Sequence, residues 1–413
     1  MPENALHQHQ FPNGLTLLAE VMPGVQSASF AFLVPAGSIY EPADRAGTAT
    51  LTAEWITRGA GELDSRDLIG ALDDLGVTHG ESASTLHTTL TAATLGRNLL
   101  PALSIFADIL QRPLLDDEEI EPIRALALQS LQSLEDDPGS KAILELRRRH
   151  FPDPWGRPSV GSAEGIRGAT PESLRDFHGR LYRPNGALIG VAGAIDWPQL
   201  LDETGRLFGD WEPREEPAIL AGPGGPSRDH ILKDTQQIQI ALAYPSVTVD
   251  HPDYYRARAV SAILGGYASA RLFTEVREKR GLCYSVYSSY EGFNHLGAVL
   301  CYAGTSADRA QETLDVTLGE IHRLADSGVE LEELDMMRAG LKSSLIMSQE
   351  SSMARASSMA SDWYFLNRVR SLEEIRAALD TLTPEDVSAF AKGQQIDRAT
   401  ILTLGPRALS LPS

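Results

Sequence analysis

The feature that most constrains this chain is an internal repeat, because the two halves of its 413 residues end alike. Residues 173–193 and 386–405 each contain a short amphipathic helix pattern, a break, a β-rich apolar run and a final glycine. Each segment follows a Thr-Pro-Glu sequence, at 170–172 and at 383–385. Threonine caps helices, proline suits the first helical position, and glutamate favours the positive end of the helix dipole. The sequence therefore predicts a helix start at the same place in both halves.

The beginnings of the two halves correspond as well. Strand-like runs at 15–33 and 231–244 are each followed by long segments with apolar residues at three- and four-residue spacing. We predict two similar α+β domains at 1–211 and 231–413, because this length exceeds what one core usually holds. Residues 212–230, rich in Pro, Gly and Glu, are predicted to be the linker. Each domain is expected to be an antiparallel-rich mixed sheet with helices packed on one face.

Composition limits the function classes. The formal net charge of −20 would repel phosphate backbones, so we expect no nucleic-acid ligand. This charge suits a basic peptide or partner, or it only keeps the protein soluble. No apolar run is long enough to span a membrane, and the first residues lack the pattern of a signal peptide. With Cys283 and Cys301 as the only cysteines, the expected location is the cytoplasm.

Five motifs occur in a fixed order over both halves. They are F-P-N-G-L at 11–15, A-G-S at 36–38 followed by Glu41 and Gly47, E-D-D-P at 135–138, Y-R-P-N at 182–185, and the segment from Arg271 to Tyr284. Their order resembles the pitrilysin/insulinase family of inverted zincins, specifically the short bacterial members related to mitochondrial processing peptidase. The resemblance covers nearly the whole chain, and it implies that the two domains form a clamshell.

The catalytic motif of that family is absent. The family motif is H-x-x-E-H on a helix, with two histidines as zinc ligands and the glutamate as general base. A glutamate on a later helix completes the ligand set. Counted from Gly47, the first histidine position is Thr50, the base position is Ala53 and the second histidine position is Glu54. The distal glutamate position is Ser130.

The loss of the motif does not depend on the alignment. No histidine lies between His9 and His79, so a shift by one residue would not restore it. A single carboxylate beside two hydroxyl groups is a poor zinc site, and without a base no water is activated. We therefore expect no metal in this chain and no catalysis by this chain alone. The zinc is expected in a partner subunit.

The second half retains two residues of the family pattern, Arg277 and Tyr284, seven positions apart. By resemblance, this pair binds the substrate backbone and polarises the scissile carbonyl in a site shared with the zinc-bearing domain. Taken from the residues alone, Arg277 lies in a charged run and could face solvent on a helix. Tyr284 lies in an aromatic strand pattern and could be a core or cross-strand residue.

Three functional hypotheses remain open. The first is a non-catalytic subunit that binds an unfolded peptide as an added edge strand and completes the active site of a zinc-bearing homologue. The second is a non-enzymatic peptide-binding or structural core-type subunit that acts as a homodimer. The third, a peptidase active by itself, requires bound metal.

Overall fold

The computed structural model describes residues 6–411, except for the side chain of Gln349. The strands in this part of the chain are β1 Leu6–Gln10, β2 Thr16–Val21, β3 Ser27–Val34, β4 Gly59–Ala60, β5 Leu63–Asp64, β6 Thr78–Ala83, β7 Thr88–Leu95, β8 Leu188–Gly193, β9 Arg228–Leu232, β10 Gln237–Ser246, β11 Cys283–Gly292, β12 Gly297–Ser306 and β13 Thr400–Gly405.

The α-helices in the same part of the chain are α1 Thr48–Trp55, α2 Ser65–Asp74, α3 Leu99–Gln111, α4 Ile120–Glu135, α5 Pro138–His150, α6 Ala163–Gly168, α7 Pro171–Leu181, α8 Trp197–Phe208, α9 Tyr254–Gly265, α10 Ala310–Ser327, α11 Leu331–Gln349, α12 Ser352–Leu366, α13 Leu372–Asp380 and α14 Pro384–Lys392.

Two large sheets share one topology. The first has the order β1-β2-β8-β3-β7-β6, and the second has the order β11-β12-β10-β13-β9. In each sheet one pair is parallel, β2 with β8 and β13 with β9, and the remaining pairs are antiparallel. Read from opposite ends, the second sheet repeats the first without β1. The predicted mixed, antiparallel-rich sheets and the internal repeat are thus confirmed.

The two predicted helix starts are also confirmed. Thr170 accepts a hydrogen bond from the backbone N–H of Ser173, and Thr383 accepts one from the backbone N–H of Asp386. Ser173 and Asp386 return bonds to the threonine backbone, which completes a capping box at the start of α7 and of α14. In both halves this helix leads into an inner strand of a sheet, β8 or β13, as the repeat indicates.

The chain forms two compact units that are not contiguous in sequence. Unit 1 contains the residues up to Ser133, Arg157–Leu220 and Met347–Val369. Unit 2 contains Leu134–Gly156, Ala221–Ile346 and the residues from Arg370 onward. Each half of the sequence therefore contributes one helix to the unit formed mainly by the other half. These helices are α5 in unit 2 and α12 in unit 1.

In unit 1, helices cover both faces of the sheet. The main core lies on one face and includes Phe30, Phe32 and Phe106, while α12 packs against β3 and β8 on the other face. Two guanidinium nitrogens of Arg355 on α12 donate to Glu20 Oε2 at 2.7 and 2.5 Å, and both side chains are at most 6% exposed. Removing one partner of such a pair leaves a buried charge, so this contact ties α12 to the sheet.

In unit 2, the main core lies between the sheet and α9, α10 and α11. Helix α5 packs against β10 and β13. Arg149 near the end of α5 donates to Asp229 on β9 at 2.8 Å, and both residues belong to unit 2. At the start of α5, a Cβ on Gly139 would lie 2.7 Å from the hydroxyl oxygen of Tyr302 on β12. A larger residue at 139 would therefore require the Tyr302 side chain to shift.

Within residues 6–411, no helix combines the length and the apolar composition that a membrane-crossing segment needs.

Candidate functional site

The segment that matches the zinc motif forms α1 in unit 1, and the carboxylate of Glu41 caps its start. Gly47, the residue before the first residue of the helix, has φ of 107° and no capping side chain. Instead, Glu41 accepts hydrogen bonds from the backbone N–H groups of Gly47 at 3.0 Å and Ala49 at 2.7 Å. Glu41 is 4% exposed, and its burial raises the pKa to about 7 although both hydrogen bonds oppose this shift.

Of the three side chains at the motif positions on α1, two already have polar partners and the third is apolar. The hydroxyl of Thr50 donates to the backbone carbonyl of Ser159 at 2.6 Å. Ala53 is 2% exposed and has no polar side-chain atom. The Glu54 carboxylate pairs with Arg58 one turn later on the chain. None of these side chains is a free donor to a metal ion.

The distal position does not supply a ligand either. Ser130 lies on α4, is exposed, and donates to the carbonyl of Leu126 at 3.0 Å. Among residues 6–411, no three His, Cys, Asp or Glu side chains form a group that could hold a metal ion. Catalytic zinc needs three such protein ligands and an open position. The residues present in this chain therefore do not fit zinc.

The two histidines nearest in sequence to α1 have other roles. His79 on β6 lies 3.9 Å from a carboxylate oxygen of Glu81, and the interaction with this carboxylate raises the pKa of His79. His87 is buried against the edge of Tyr364 at 4.3 Å between ring centres, and burial lowers its pKa to about 4. His79 is therefore part of an edge strand and His87 part of the core.

In unit 2 the structure brings Arg277 and Tyr284 together. Arg277 lies in a π-helical turn, Phe273–Glu278, a form that occurs frequently at functional sites. Its guanidinium carbon is 4.6 Å from the centre of the Phe273 ring and 5.0 Å from that of Tyr284. Gly281, with φ of 61°, reverses the chain between the turn and β11. The guanidinium is thus held by cation–π contacts to two aromatic rings.

Arg277 differs from the other cations of its charged run. Lys279 and Arg280 both bind Glu275, each at 2.7 Å, and the hydrogen bond from Lys279 is the main reason that the pKa of Glu275 falls to about 2. Within residues 6–411, Arg277 has no carboxylate partner. Its N–H donors are therefore available to a ligand.

Tyr284 is presented to solvent by an irregularity in β11. The pairing of β11 with β12 shifts register between Cys283 and Ser285. Such bulges re-aim side chains. Tyr284 is 80% exposed, whereas Val286 on the same strand is 7% exposed. Tyr284 is therefore not a core residue in unit 2.

Sequence reasoning assigned no role to two residues that shape these regions. Phe273 lies four residues before Arg277, and this helical spacing of an aromatic residue and an arginine could have indicated the contact. Glu41 was noted only as part of a motif. Its capping contacts cross a non-helical segment, so no fixed spacing indicates them.

Both regions adjoin the edge of a sheet. Strand β6 is the last strand of the first sheet, and α1 packs against it. Strand β11, which begins next to Tyr284, is the last strand of the second sheet. In the part of the chain that the structure describes, neither strand has a neighbour on its outer side, so each has free backbone groups for strand addition.

Comparisons with known proteins agree over the whole chain. The profile of the family described as "Insulinase (Peptidase family M16)" matches residues 16–152. The profile described as "Peptidase M16 inactive domain" matches residues 168–341. An uncharacterized zinc protease of Mycobacterium tuberculosis, Rv2782c, is 28% identical over 402 residues, covering 96% of this chain and 92% of the relative. The uncharacterized zinc protease YmxG of Bacillus subtilis is 26% identical, covering 92% and 93%.

Solved structures share the fold. The chain superposes on a protease from Helicobacter pylori with a TM-score of 0.90 at 20% identity, covering 98% of this chain and 100% of the other. It superposes on a peptidase M16 inactive domain from Pseudomonas fluorescens with a TM-score of 0.88 at 23% identity, covering 99% of both. At these identities the likeness defines the architecture only.

Proposed function

Because the chain belongs to the insulinase/pitrilysin-type peptidase family M16, we propose that it is the zinc-less subunit of a two-subunit metalloendopeptidase. In this role it binds an extended peptide, and it contributes Arg277 and Tyr284 to a site whose zinc is carried by a homologous partner. The observation that carries the proposal is the state of Arg277, whose guanidinium contacts two aromatic rings and has no carboxylate partner among the described residues.

The chemistry of this pair suits a peptide carbonyl. An arginine offers planar N–H donors in a fixed geometry, which can bind carbonyl oxygens of a peptide backbone. A tyrosine hydroxyl can donate to the negative charge that develops on the scissile carbonyl oxygen. The cation–π contacts to Phe273 and Tyr284 limit the movement of the guanidinium, so less ordering is needed when the substrate binds.

The sheet edges suit the peptide itself. We propose that an extended peptide adds to β6, beside α1, through backbone hydrogen bonds. Backbone pairing depends little on side-chain identity, which suits an unfolded substrate. The net charge of −20 favours a basic peptide or partner over a nucleic acid. We place this activity in the cytoplasm, where the free thiols Cys283 and Cys301 would stay reduced.

A second candidate is a homodimeric peptide-binding or structural subunit without any enzymatic role. The state of α1 favours it, because Thr50, Ala53 and Glu54 are all engaged or apolar while the start of the helix keeps its buried cap. In that case Arg277 and Tyr284 would be dispensable.

Co-expression with a homologue that has an intact H-x-x-E-H motif separates the two candidates. With the intact pair, cleavage of a fluorogenic peptide requires both chains. Arg277→Ala and Tyr284→Phe are each expected to lower kcat/KM of the complex by roughly 100- to 1,000-fold, the range for losing a donor to a developing oxyanion.

Neighbouring residues provide matched controls. Arg280→Ala removes a cation that already binds Glu275, and Tyr287→Phe alters a tyrosine on the same strand. Both variants should keep the activity of the unmodified complex. Full activity of Arg277→Ala and Tyr284→Phe would overturn the shared-site proposal. Zinc bound at one ion per chain in the protein purified alone would instead support a self-sufficient peptidase.

A further inference from the structure

The tripeptide Pro-Asn-Gly occurs twice in unit 1, at 12–14 and at 184–186, within two motifs that the proposed function does not use. Each tripeptide lies in a turn that leads into a strand, β2 after the first and β8 after the second. These strands pair in parallel with Thr16 opposite Leu188, so Asn13 and Asn185 each lie three residues before a paired position. The register therefore places the two turns side by side.

The glycine of the first turn shows how closely the two turns pack. Gly14 has φ of 90°, in the left-handed region that favours glycine. A Cβ added to Gly14 would lie 3.0 Å from both Cα and Cβ of Asn185. The first turn therefore packs directly against the second.

Both asparagine side chains bind the end of α8 and the segment that follows it. The amide nitrogen of Asn13 donates to the carbonyl oxygens of Phe208 at 2.7 Å and Trp211 at 3.0 Å. The amide nitrogen of Asn185 donates to the carbonyl oxygen of Arg214 at 2.9 Å, and its amide oxygen accepts from the N–H of Arg214 at 3.0 Å. Asn185 thus satisfies both backbone groups of one residue, as a neighbouring strand would.

Residues 209–216, which we call the strap, have further contacts with unit 1. Trp211 is 8% exposed and belongs to the main core of this unit. At the end of the strap, a carboxylate oxygen of Glu216 lies 3.7 Å from a guanidinium nitrogen of Arg183. Arg183 is 1% exposed, and Glu216 is its only carboxylate partner within residues 6–411. Because a buried guanidinium without a carboxylate is costly, this contact favours a docked strap.

The contacts that hold the chain end beyond the strap. In the part of the chain that the structure describes, residues 217–221 form no hydrogen bond, and Leu220 is 82% exposed. The next backbone hydrogen bond is that of Gly222, whose N–H donates to the carbonyl oxygen of Asp153 at 2.7 Å, and both residues belong to unit 2. Exposed segments with few contacts open most easily, so 217–221 is the least restrained part of the predicted linker.

We infer that the paired Pro-Asn-Gly turns clamp the strap on unit 1 and confine the movement of the predicted linker to residues 217–221. The clamp is a conformational device, because it fixes the point at which the chain becomes free to move. The inference goes beyond the proposed function, since it involves no peptide, no zinc and no partner subunit.

Limited proteolysis of the full chain tests the clamp at two bonds close together in sequence. Trypsin has one site in the strap, after Arg214, and chymotrypsin has an exposed site after Leu220. The rate of cleavage follows the population of locally open chain. The unmodified chain should be cut after Leu220 and should resist trypsin after Arg214. Asn185→Ala should accelerate cleavage after Arg214 by roughly 10- to 100-fold, since both hydrogen bonds to the Arg214 backbone are lost.

Asn98→Ala is the matched control, because the Asn98 side chain also donates to a backbone carbonyl in unit 1, that of Leu75 at 2.9 Å. This variant should leave the rate of cleavage after Arg214 unchanged. Circular dichroism verifies that both variants are folded. Equal rates of cleavage after Arg214 in folded Asn185→Ala and in the unmodified chain would overturn the inference.

Hydrogen exchange of the unmodified chain tests the clamp without any substitution. Relative to its intrinsic rate, the backbone amide of Arg214 should exchange at least roughly tenfold more slowly than the amides of residues 218–221. Equal protection of these amides would overturn the inference, and so would resistance of the bond after Leu220 to chymotrypsin.

Discussion

The region around α1 and the region around Arg277 differ in how their polar groups are used. At α1 the donors and acceptors face the protein: Glu41 caps the helix from a buried position, and the hydroxyl of Thr50 binds a backbone carbonyl. At the π-helical turn Arg277 is partly exposed and has no carboxylate partner within the described residues, and Tyr284 is 80% exposed.

Different interactions therefore stabilise the fold around α1 and position the side chains of Arg277 and Tyr284. The Glu41 cap at the start of α1 stabilises the folded chain, since Glu41 accepts hydrogen bonds from two backbone N–H groups. The arrangement at Arg277 contributes little to stability, because exposed side chains and solvent-facing cation–π contacts are worth about 1 kcal/mol or less. Stability measurements at the first region and binding measurements at the second should therefore respond to different substitutions.

The largest expected effect on stability is that of Glu41→Ala. The substitution leaves the N–H groups of Gly47 and Ala49 without their acceptor in a buried place. Each unsatisfied buried group costs about 1–3 kcal/mol, so the free energy of unfolding should fall by about 2–6 kcal/mol. Urea denaturation followed by circular dichroism measures the change.

Tyr284→Ala is the matched control for this comparison, because it removes a larger side chain from an exposed position. Its free energy of unfolding should stay within about 1 kcal/mol of that of the unmodified chain, since only an exposed cation–π contact is lost. A loss at Tyr284→Ala as large as that at Glu41→Ala would contradict the division between a structural and a ligand-facing region.

The pH dependence of stability tests the role of Glu41 in the same comparison, with a smaller expected change in the free energy of unfolding. The folded pKa of Glu41, about 7, lies above its unfolded value of 4.5, so the folded state binds the proton more tightly. The resulting stabilisation is fully present below pH 4.5 and is lost as the pH rises through 7. Relative to Glu41→Gln, the unmodified chain should lose on the order of 3 kcal/mol of stability over this range.

Denaturation of both proteins at several pH values between 4.5 and 8 tests this, because other titrating groups cancel in the difference. A difference that stays constant with pH would show that the carboxyl group of Glu41 titrates alike in the folded and unfolded chain. A difference that grows with pH in favour of the unmodified chain would mean a lowered pKa instead.

Much of the fold could be predicted because it depends on local signals that occur twice. Capping threonines, period-two apolar runs and the repeated helix–strand ending are all visible in short windows, and they gave the two mixed sheets. The placement of α12 on the first sheet was not predictable in this way. It depends on contacts such as Glu20 with Arg355, which are 335 positions apart in sequence. No spacing rule relates such residues.

The candidate site was likewise predictable only where its residues are close in sequence. Arg277 and Tyr284 are seven positions apart, and the structure places their side chains in contact, although their role in binding stays a prediction. The cluster that Arg258 and Arg370 form around the Tyr254 ring was not predictable. Its members lie on elements far apart in sequence, and in the sequence each arginine resembles an ordinary surface residue.

The smallest expected effects distinguish two positions of the lost ligand set. The hydroxyl of Thr50 bonds to Ser159, which is distant in sequence, so Thr50→Ala should cost about 1 kcal/mol. The hydroxyl of Ser130 bonds only to the carbonyl one turn earlier on an exposed helix face, and alanine is the better helix former. Ser130→Ala should therefore be neutral or stabilising by a few tenths of a kcal/mol. Urea denaturation of the two single variants under one condition measures both. Equal losses of unfolding free energy at the two positions would mean that the hydroxyl of Ser130 stabilises the fold as much as that of Thr50. The substituted ligand positions on α1 and α4 would then not differ in their contribution to stability.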